Sequence, residues 1–444
     1  MAGTEDTVTD RYLDEHLDAA LTGLDDRFRA VLLRPPATHD TDRRARHYGE
    51  VMLTHDGTAH LHAAMADRVD RGELPGLVTL VASGDDIHVD AIGRFGFDTD
   101  QPMRLDTVFR LASLTKPVIA AAAMTLVDDG VFTPADTVDR WLPELADRQV
   151  LARIDGPLDE TVPADRPLTI DDLLTFRLGF GHVTEPTMFP DYPIVTAPRE
   201  MDLVLEQPDP RTPYGPDEWM KRFATLPFMD QAGLRWRYNV GSLLLGVLLA
   251  RAAGGPLGDL LRERIFEPLG MRDTGFTATA AQGARMPGYY VAAGAPEPVL
   301  QAVSRPADWL VAPAFPSGAA GLLSTIDDFH AFTRMLRDGG VGGGHRLLSA
   351  DSVAAMTRNQ LTDAQISTAG MLLGGQGWGY GVAVTTTEAD GQTPGQYGWS
   401  GGYGTTWFTE PGRDLIAIAF TQLSDFLWNG HLTEFGRLAT AAVG

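Results

Sequence analysis

Cysteine and long apolar runs are both absent from this chain of 444 residues. Without cysteine there is no disulfide, no thiolate nucleophile and no cysteine-ligated metal. No run of 18 apolar residues occurs, so the sequence predicts no membrane span. The first residues are acidic and lack the apolar core of a signal peptide, and we therefore expect a cytoplasmic protein.

Positive charge is also scarce. The chain has 36 Lys and Arg residues against 59 Asp and Glu residues, which gives a formal net charge of −23. Nucleic acids and anionic membranes bind basic patches, so the sequence predicts neither as a partner. Apolar residues make up 44% of the chain and charged residues 21%, which is typical of a globular protein with a sizeable core.

Lysine is the scarcer of the two strong cations. Only Lys116 and Lys221 are lysines, so 34 of the 36 basic residues are arginine. Arginine keeps its proton in proteins, whereas the pKa of a lysine shifts readily on burial. In a chain that uses arginine wherever a positive charge suffices, a lysine beside a nucleophile predicts acid–base chemistry.

Lys116 stands three residues after Ser113, and an apolar, alanine-rich run follows at 117–124. That run is rich in helix formers, so Ser113 is predicted to lie at the start of a buried helix. Residues three apart share a helix face, which brings the two side chains within hydrogen-bond reach. A serine hydroxyl needs a base, and a lysine amine serves as one only if burial or a nearby cation lowers its pKa.

The remaining chain shows strand patterns near both ends and helical patterns between them. Alternating and apolar runs at 77–92 and after residue 378 predict strands. The stretch 183–218 contains eight prolines, and so long a proline-rich stretch inside a domain is often a lid or a pocket wall. His60 and His62 have no further ligand nearby, so no metal site is predicted.

Four stretches carry a family resemblance: Ser113-x-x-Lys116, Tyr238 in Trp-Arg-Tyr-Asn-Val-Gly-Ser, Phe266 to Met271 followed by Thr274-Gly275-Phe276, and Trp399-Ser400-Gly401-Gly402. Together they resemble the serine β-lactamase and penicillin-binding-protein superfamily, and in particular the family VIII carboxylesterases, which are similar to class C β-lactamases. The order and spacing of the stretches match across most of the chain.

The resemblance implies a β-lactamase-like α/β (α+β) fold, in which an antiparallel sheet is flanked by helices and accompanied by a mainly helical domain. The expected parts are an N-terminal helical extension at 1–50, an α/β domain at 51–135 and 300–444, and a mainly helical domain at 136–299 with the proline-rich loop. The site would lie in the cleft between the last two.

The resemblance also implies roles for individual residues. Ser113 would be the nucleophile, and Lys116 and Tyr238 would share proton transfer, with Tyr238 as a base whose phenolate Lys116 favours; which of the two deprotonates Ser113 stays open. The backbone N–H groups of Ser113 and Gly402 would form the oxyanion hole. The implied substrate-binding residues are Trp399, Ser400, Gly401 and Asn239. No cofactor and no metal are implied.

Two departures from the β-lactamase pattern predict the substrate class. Val240 stands where Tyr-x-Asn has its asparagine, and Trp399 stands where Lys-Thr-Gly has its lysine. Tryptophan offers one N–H and no charge, so burying a substrate carboxylate against it would be costly. Both departures resemble the esterase branch and predict a carboxylesterase that acts on small neutral acyl esters with short acyl chains. Arg235 and Arg237 are the candidates to supply the missing charge.

Other functions stay open at this point. Acyltransferases, β-lactamases and D-amino-acid peptidases use the same Ser-x-x-Lys machinery, and a homo-oligomer is compatible with the sequence. The run 398–402 also fits Gly-x-Ser-x-Gly, with Asp414 or Asp425 and His431 after it. That motif needs a helix after its serine, but a β-rich run follows Ser400. A catalytically dead scaffold used for binding is disfavoured because Ser113, Lys116 and Tyr238 are all present.

Overall fold

The structure, a computed structural model, describes residues 52–184, 187–205, 212–292, 298–301, 304–388 and 391–444. The α-helices are α1 (His55–Asp70), α2 (Thr115–Asp128), α3 (Ile170–Leu174), α4 (Pro193–Glu200), α5 (Pro216–Phe223), α6 (Val240–Ala253), α7 (Leu257–Leu261), α8 (Glu267–Leu269), α9 (Ala280–Gly283), α10 (Ile326–Arg337), α11 (Ala350–Thr357), α12 (Asp363–Ser367), α13 (Gly370–Leu373) and α14 (His431–Ala441). A π-helical turn, Arg262–Phe266, joins α7 to α8.

The strands are short except at the centre of the main sheet. They are β1 (Gly76–Ser83), β2 (Asp86–Gly93), β3 (Phe109–Arg110), β4 (Gln149–Leu151), β5 (Thr161–Pro163), β6 (Tyr290–Val291), β7 (Val299–Leu300), β8 (Leu323–Ser324), β9 (Val341–Gly342), β10 (His345–Arg346), β11 (Gly377–Trp378), β12 (Ala383–Val384), β13 (Tyr397–Gly401), β14 (Thr405–Glu410) and β15 (Leu415–Phe420).

Two segments that are far apart in sequence form one antiparallel sheet of seven strands. Its spatial order is β11-β12-β13-β14-β15-β1-β2, and β1 pairs with β15 so that Leu80 lies opposite Ile418. Every residue of β1 and β15 is buried, which explains why both read as continuous apolar runs in the sequence. The predicted antiparallel sheet flanked by helices is confirmed.

Helices cover both faces of this sheet. On one face, α1 and α14 pack through residues that share a buried cluster with β1 and β15; these are Leu61, Met65, Phe435 and Leu438. On the other face lie α10 and α2, which belong to the main core together with Leu80, Ile416 and Ile418. The side chains of β1 and β15 therefore alternate between two apolar layers.

The two helices that matter for the site, α2 and α6, are buried along almost their whole length. Both are apolar all round, which is typical of a helix in the interior of a protein. Helix α6 ends at Ala253 and is capped by Gly254, whose φ of 67° is the left-handed conformation that glycine adopts most easily. Among the described residues, no single helix is long and apolar enough to cross a membrane.

Several local predictions differ from the structure. Part of the proline-rich stretch is helical, because Pro193 occupies the first turn of α4, where its missing N–H is not needed. Of the strands predicted after residue 378, the first has only two residues, Ala383–Val384. The predicted N-terminal extension, 1–50, lies outside the described residues.

Candidate active site

Ser113 lies in a tight turn between a strand and a helix. Strand β3 leads into a 3-10 turn, Ala112–Leu114, and α2 begins at Thr115. Ala112 has a φ of 47°, a conformation that costs energy for a residue with a β-carbon. The backbone of Leu111 holds the turn, because its N–H donates to Leu322 at 2.9 Å and its carbonyl accepts from Thr405 at 2.9 Å.

Lys116 is fully buried directly beside this serine. Its Nζ lies 2.9 Å from Ser113 Oγ and donates to the Ala319 carbonyl at 2.8 Å. Burial holds the pKa of Lys116 well below its usual value. Within the described part of the chain no carboxylate pairs with Lys116, so nothing opposes the shift. A neutral amine here can accept the Ser113 proton.

The Ala319 carbonyl is brought to Lys116 by a close approach of two backbones. A β-carbon on Gly318 would lie 2.4 Å from the Ser242 carbonyl oxygen and 3.1 Å from Gly246 Cα in α6. Only a glycine lets this segment lie flat on α6. The small residues of 317–321 therefore position the lysine's second hydrogen-bond partner.

Tyr238 completes the catalytic group that the sequence predicts. Its hydroxyl hydrogen-bonds the Ser113 side chain and accepts from Trp399 Nε1 at 2.8 Å. Lys116 Nζ lies 4.5 Å from the centre of the tyrosine ring. Burial raises the pKa of Tyr238 above its usual value despite both hydrogen bonds. Burial therefore disfavours the phenolate expected from the sequence, and which of Lys116 and Tyr238 deprotonates Ser113 stays a prediction.

An aromatic cluster fixes the orientation of the Tyr238 ring. Its centroid lies 5.7 Å from Phe176, 5.6 Å from Trp236 and 5.5 Å from Trp399. Trp378 stands edge-on to Trp399 at 4.8 Å. Such contacts leave the phenol little freedom to rotate out of the site.

Strand β13 runs along the Ser113 turn, and the predicted oxyanion donor, Gly402, directly follows the last residue of the strand. A β-carbon on Gly401 would lie 2.1 Å from the Leu111 carbonyl oxygen, so only glycine fits there. No atom lies within 4 Å of a β-carbon built on the next residue, Gly402, which faces open space. That Gly402 donates its N–H to an oxyanion stays a prediction.

Two predicted substrate contacts are engaged with other groups. Ser400 Oγ lies 2.8 Å from Thr406 Oγ1 across the β13–β14 pair. Asn239 is buried, has a φ of 87° and donates its amide to the Leu205 carbonyl at 2.5 Å. The structure therefore does not support a contact between the Asn239 amide and substrate, because the amide already has a partner in the protein.

The structure also decides against Ser400 as a nucleophile. Strand β14 follows it where a nucleophile elbow requires a helix. His431, the third member of that alternative, lies 3.6 Å from Glu73, a carboxylate of the turn before β1. Among the described residues, no group of three or more His, Asp or Glu side chains could hold a metal ion.

A cavity of about 550 Å³ opens beside Tyr238, and we call it the proximal cavity. Among its lining residues are His182, Asp230, Arg235, Trp236 and Arg237. Arg237 is paired with Asp230, and Arg235 Nε lies 3.6 Å from the same carboxylate. Of the two arginines named from the sequence, Arg235 is thus the freer to meet a charged substrate.

Sequence reasoning missed His182, Trp378 and Ala319. His182 packs edge-on against Tyr238 with 5.4 Å between ring centroids, and burial lowers its pKa to about 4. It is therefore neutral at ordinary pH. All three residues reach the site through contacts far along the chain, so no local pattern could have identified them.

Comparisons with known proteins agree with this geometry. A family model described as Beta-lactamase matches residues 61–439. Protein Rv1367c of Mycobacterium tuberculosis (strain ATCC 25618 / H37Rv) is 36% identical over 374 residues, which are 81% of this chain and 88% of that protein. Esterase EstB of Burkholderia gladioli is 30% identical over 396 residues, which are 84% of this chain and 93% of that protein.

A solved structure is similar over nearly the same length. EstCE1, described as a hydrolase with promiscuous acyltransferase activity, is 25% identical and superimposes with a TM-score of 0.71 over 87% of this chain and 98% of its own. The family model and the esterase relative each span most of the chain, and Ser113, Lys116 and Tyr238 meet in one site. The chain therefore belongs to the beta-lactamase family.

Proposed function

We propose that this protein is a serine ester hydrolase that forms an acyl intermediate on Ser113. The observation that carries the proposal is the 2.9 Å contact between Ser113 Oγ and the amine of a fully buried Lys116. The chain's similarity to Esterase EstB supports ester substrates. Trp399, which offers no charge for a substrate carboxylate, supports neutral ones.

The first half of the reaction is acylation. Ser113 gives its proton to the neutral amine of Lys116, and its oxygen attacks the carbonyl carbon of the ester. The N–H groups of Ser113 and Gly402 are the proposed donors to the resulting oxyanion. When the intermediate collapses, the bond to the alcohol oxygen breaks and that oxygen takes a proton from the Tyr238 hydroxyl.

The Trp399 indole orients the Tyr238 hydroxyl for its role as the proton donor. Because the indole N–H donates to the phenol oxygen at 2.8 Å, it supports that oxygen from one side while the phenol's own O–H donates to the departing alcohol oxygen. The proton held on Lys116 restores the phenol, so the site returns to its starting protonation. Water then attacks the acyl-serine by the same route in reverse and releases the acid.

Two serine variants test the nucleophile. Ser113→Ala should abolish hydrolysis of p-nitrophenyl butyrate with little change in melting temperature. Ser400→Ala removes the serine of the competing motif and should retain a substantial part of the activity, because the Ser400 hydroxyl is already paired with Thr406. Mass detection of the acyl group on Ser113 completes the test, and the opposite pattern of activities would refute the proposal.

The substrate class is tested by comparing two substrates of the wild-type enzyme. We expect kcat/KM for p-nitrophenyl butyrate to exceed that for a chromogenic cephalosporin, whose carboxylate meets Trp399 rather than a lysine. Arg235→Gln tests whether Arg235 supplies a positive charge for the substrate carboxylate. In this variant residual cephalosporin turnover should fall, while ester turnover should stay unchanged. A cephalosporin value equal to or above the ester value would favour a β-lactamase.

Acyl transfer is the second candidate function. The proximal cavity, at about 550 Å³, is far larger than the share of liquid volume of one water molecule, about 30 Å³, so it has room for an acceptor alcohol. EstCE1, whose description includes acyltransferase activity, supports this reading. Increasing concentrations of a primary alcohol should then divert the acyl group from acid to ester product at constant acylation rate.

We also propose the two-domain division at 51–135 with 300–444 and at 136–299. It is supported by the composition of the main sheet, all of whose strands within the described residues come from 76–93 and 377–420. A homo-oligomer and a cytoplasmic location stay predictions; size-exclusion chromatography with light scattering tests the first of them.

A further inference from the structure

A second cavity of about 260 Å³ lies next to the proximal cavity, and we call it the distal cavity. The two cavities share three lining residues, His182, Val183 and Met229. The two cavities therefore adjoin each other at these three side chains.

The proline-rich stretch builds the outer wall of the distal cavity. From helix α4 come Ile194, Val195 and Pro198, all buried. The charged lining residues Arg199 and Asp202 are exposed and lie at the rim. The cavity therefore presents an apolar interior with a charged edge.

Two hydrogen bonds tie this wall to the catalytic segment. Asn239, the residue after Tyr238, donates its amide to the Leu205 carbonyl at 2.5 Å, and His182 Nε2 lies 3.4 Å from the same oxygen. The His182 backbone N–H donates to the Tyr238 carbonyl at 3.0 Å. Because Leu205 lines the distal cavity, these hydrogen bonds fix the position of the cavity wall relative to Tyr238.

The backbone of this wall is held in an unusual conformation. Phe189, Asp202 and Val204 all have φ values between 50° and 54°, although none of them is glycine. Such residues cost energy and cluster where a site needs a set shape. Because burial lowers the pKa of His182 to about 4, the side chains that both cavities share carry no charge at neutral pH.

We infer that the distal cavity receives the far end of an elongated apolar ester substrate whose reacting carbonyl lies at Ser113. This rests on the proposed function and names its substrate class as esters with a medium-length alkyl or bulky apolar group. An apolar cavity of about 150 Å³ holds benzene, so about 260 Å³ has room for a longer chain. The short acyl chains expected from the sequence would leave it empty.

Chain-length series test the inference on both sides of the ester. One arm measures kcat/KM for p-nitrophenyl esters from butanoate to decanoate, and the other for alkyl acetates from ethyl to octyl. Burial of each methylene should raise kcat/KM about fourfold until the cavity is full. The arm that shows the rise identifies whether the acyl or the alcohol part enters the cavity.

Two variants of α4 locate the effect. Val195→Phe fills the distal cavity and should lower the ratio of decanoate to butanoate turnover, or of octyl to ethyl acetate turnover, at least tenfold. Thr196→Phe places the same ring on the next residue of the helix, which does not line the cavity, and should leave both ratios unchanged. No rise in either arm, or a rise that survives Val195→Phe, overturns the inference.

A binding measurement keeps the inference separate from catalysis. Calorimetry on Ser113→Ala uses methyl decanoate if the acyl arm shows the rise and octyl acetate if the alcohol arm shows it. The affinity should fall at least tenfold on adding Val195→Phe and not on adding Thr196→Phe. If wild type hydrolyses butanoate but these affinities are equal, the inference fails and the proposed function stands. If no ester is hydrolysed while the affinities differ as expected, the proposed function fails and the cavity remains an apolar ligand site.

Discussion

At the scale of single residues, the scarcity of lysine provides a matched pair of variants. Lys116→Arg keeps the charge but removes an amine that can lose its proton at neutral pH. We expect kcat to fall about 10³-fold, which lies within the range for a lost general base. Lys221→Arg, in helix α5, should leave the rate unchanged.

The pH profile gives this prediction a second readout. Because the base must be neutral, wild-type kcat/KM should rise with pH through the lowered pKa of Lys116 and then level off. If Lys116→Arg keeps more than a tenth of the wild-type kcat, the lysine acts only as a positive charge. The contact between Lys116 and Ser113 would then have no proton-transfer role.

Trp399, which stands where Lys-Thr-Gly has its lysine, also takes part in the proposed mechanism. Trp399→Phe keeps an aromatic ring in the cluster but removes the N–H that donates to the Tyr238 hydroxyl at 2.8 Å. Losing one neutral hydrogen bond costs about 1 kcal/mol, so we expect kcat to fall about fivefold with a small change in KM.

Steady-state kinetics on two leaving groups sharpen the Trp399 test. If the indole orients the phenol as an acid, Trp399→Phe should slow an alkyl ester more than a p-nitrophenyl ester, because p-nitrophenolate leaves without a proton. An equal loss for both esters would place the role of Trp399 in substrate packing instead.

At the scale of elements, the site depends on how closely strand β13 approaches the Ser113 turn. Gly401→Ala places a methyl group 2.1 Å from the Leu111 carbonyl, so strand or turn must move. We expect a lower melting temperature and at least about a hundredfold loss of acylation rate, since displaced oxyanion donors cost that much.

The next residue provides the control for the same strand. A β-carbon in Gly402→Ala meets no atom within 4 Å and the residue keeps its backbone N–H, so folding and the phosphonylation of Ser113 by a fluorophosphonate should stay close to wild type. If Gly401→Ala and Gly402→Ala lost similar melting temperature and reaction rate, the close approach of β13 to the turn would not be the reason for a glycine at residue 401.

The same elements show how far the sequence could lead. The spacing of Ser113 and Lys116 is local to one helix start, so the pattern predicted their contact, and buried strands such as β15 stood out as apolar runs. The Asn239 amide meets Leu205, 34 residues earlier, and no local pattern encodes that pairing. The raised pKa of Tyr238 could not be predicted for a similar reason, since the burial of Tyr238 comes from packing of distant segments.

At the scale of the whole molecule, the burial of histidines makes stability depend on pH. Burial lowers the pKa of His182 and of His330 to about 4, below about 6.5 for an unfolded histidine. Between these values the unfolded chain binds more protons than the folded one, so stability is lost as the pH falls. Arg334 and Arg337 oppose charging of His330, whereas Asp338 favours it.

The expected loss is large enough to measure in urea. From about pH 7.5 to about pH 5, each neutral histidine contributes a loss of about 2 kcal/mol in the free energy of unfolding. The fall of the net charge from −23 toward zero, at a pI near 4.7, reduces self-repulsion and offsets part of it. His330→Gln should therefore make the pH dependence less steep, while His60→Gln, at an exposed position of α1, should not change it. Equal slopes for all three proteins would mean that the acid sensitivity arises from groups other than the buried histidines.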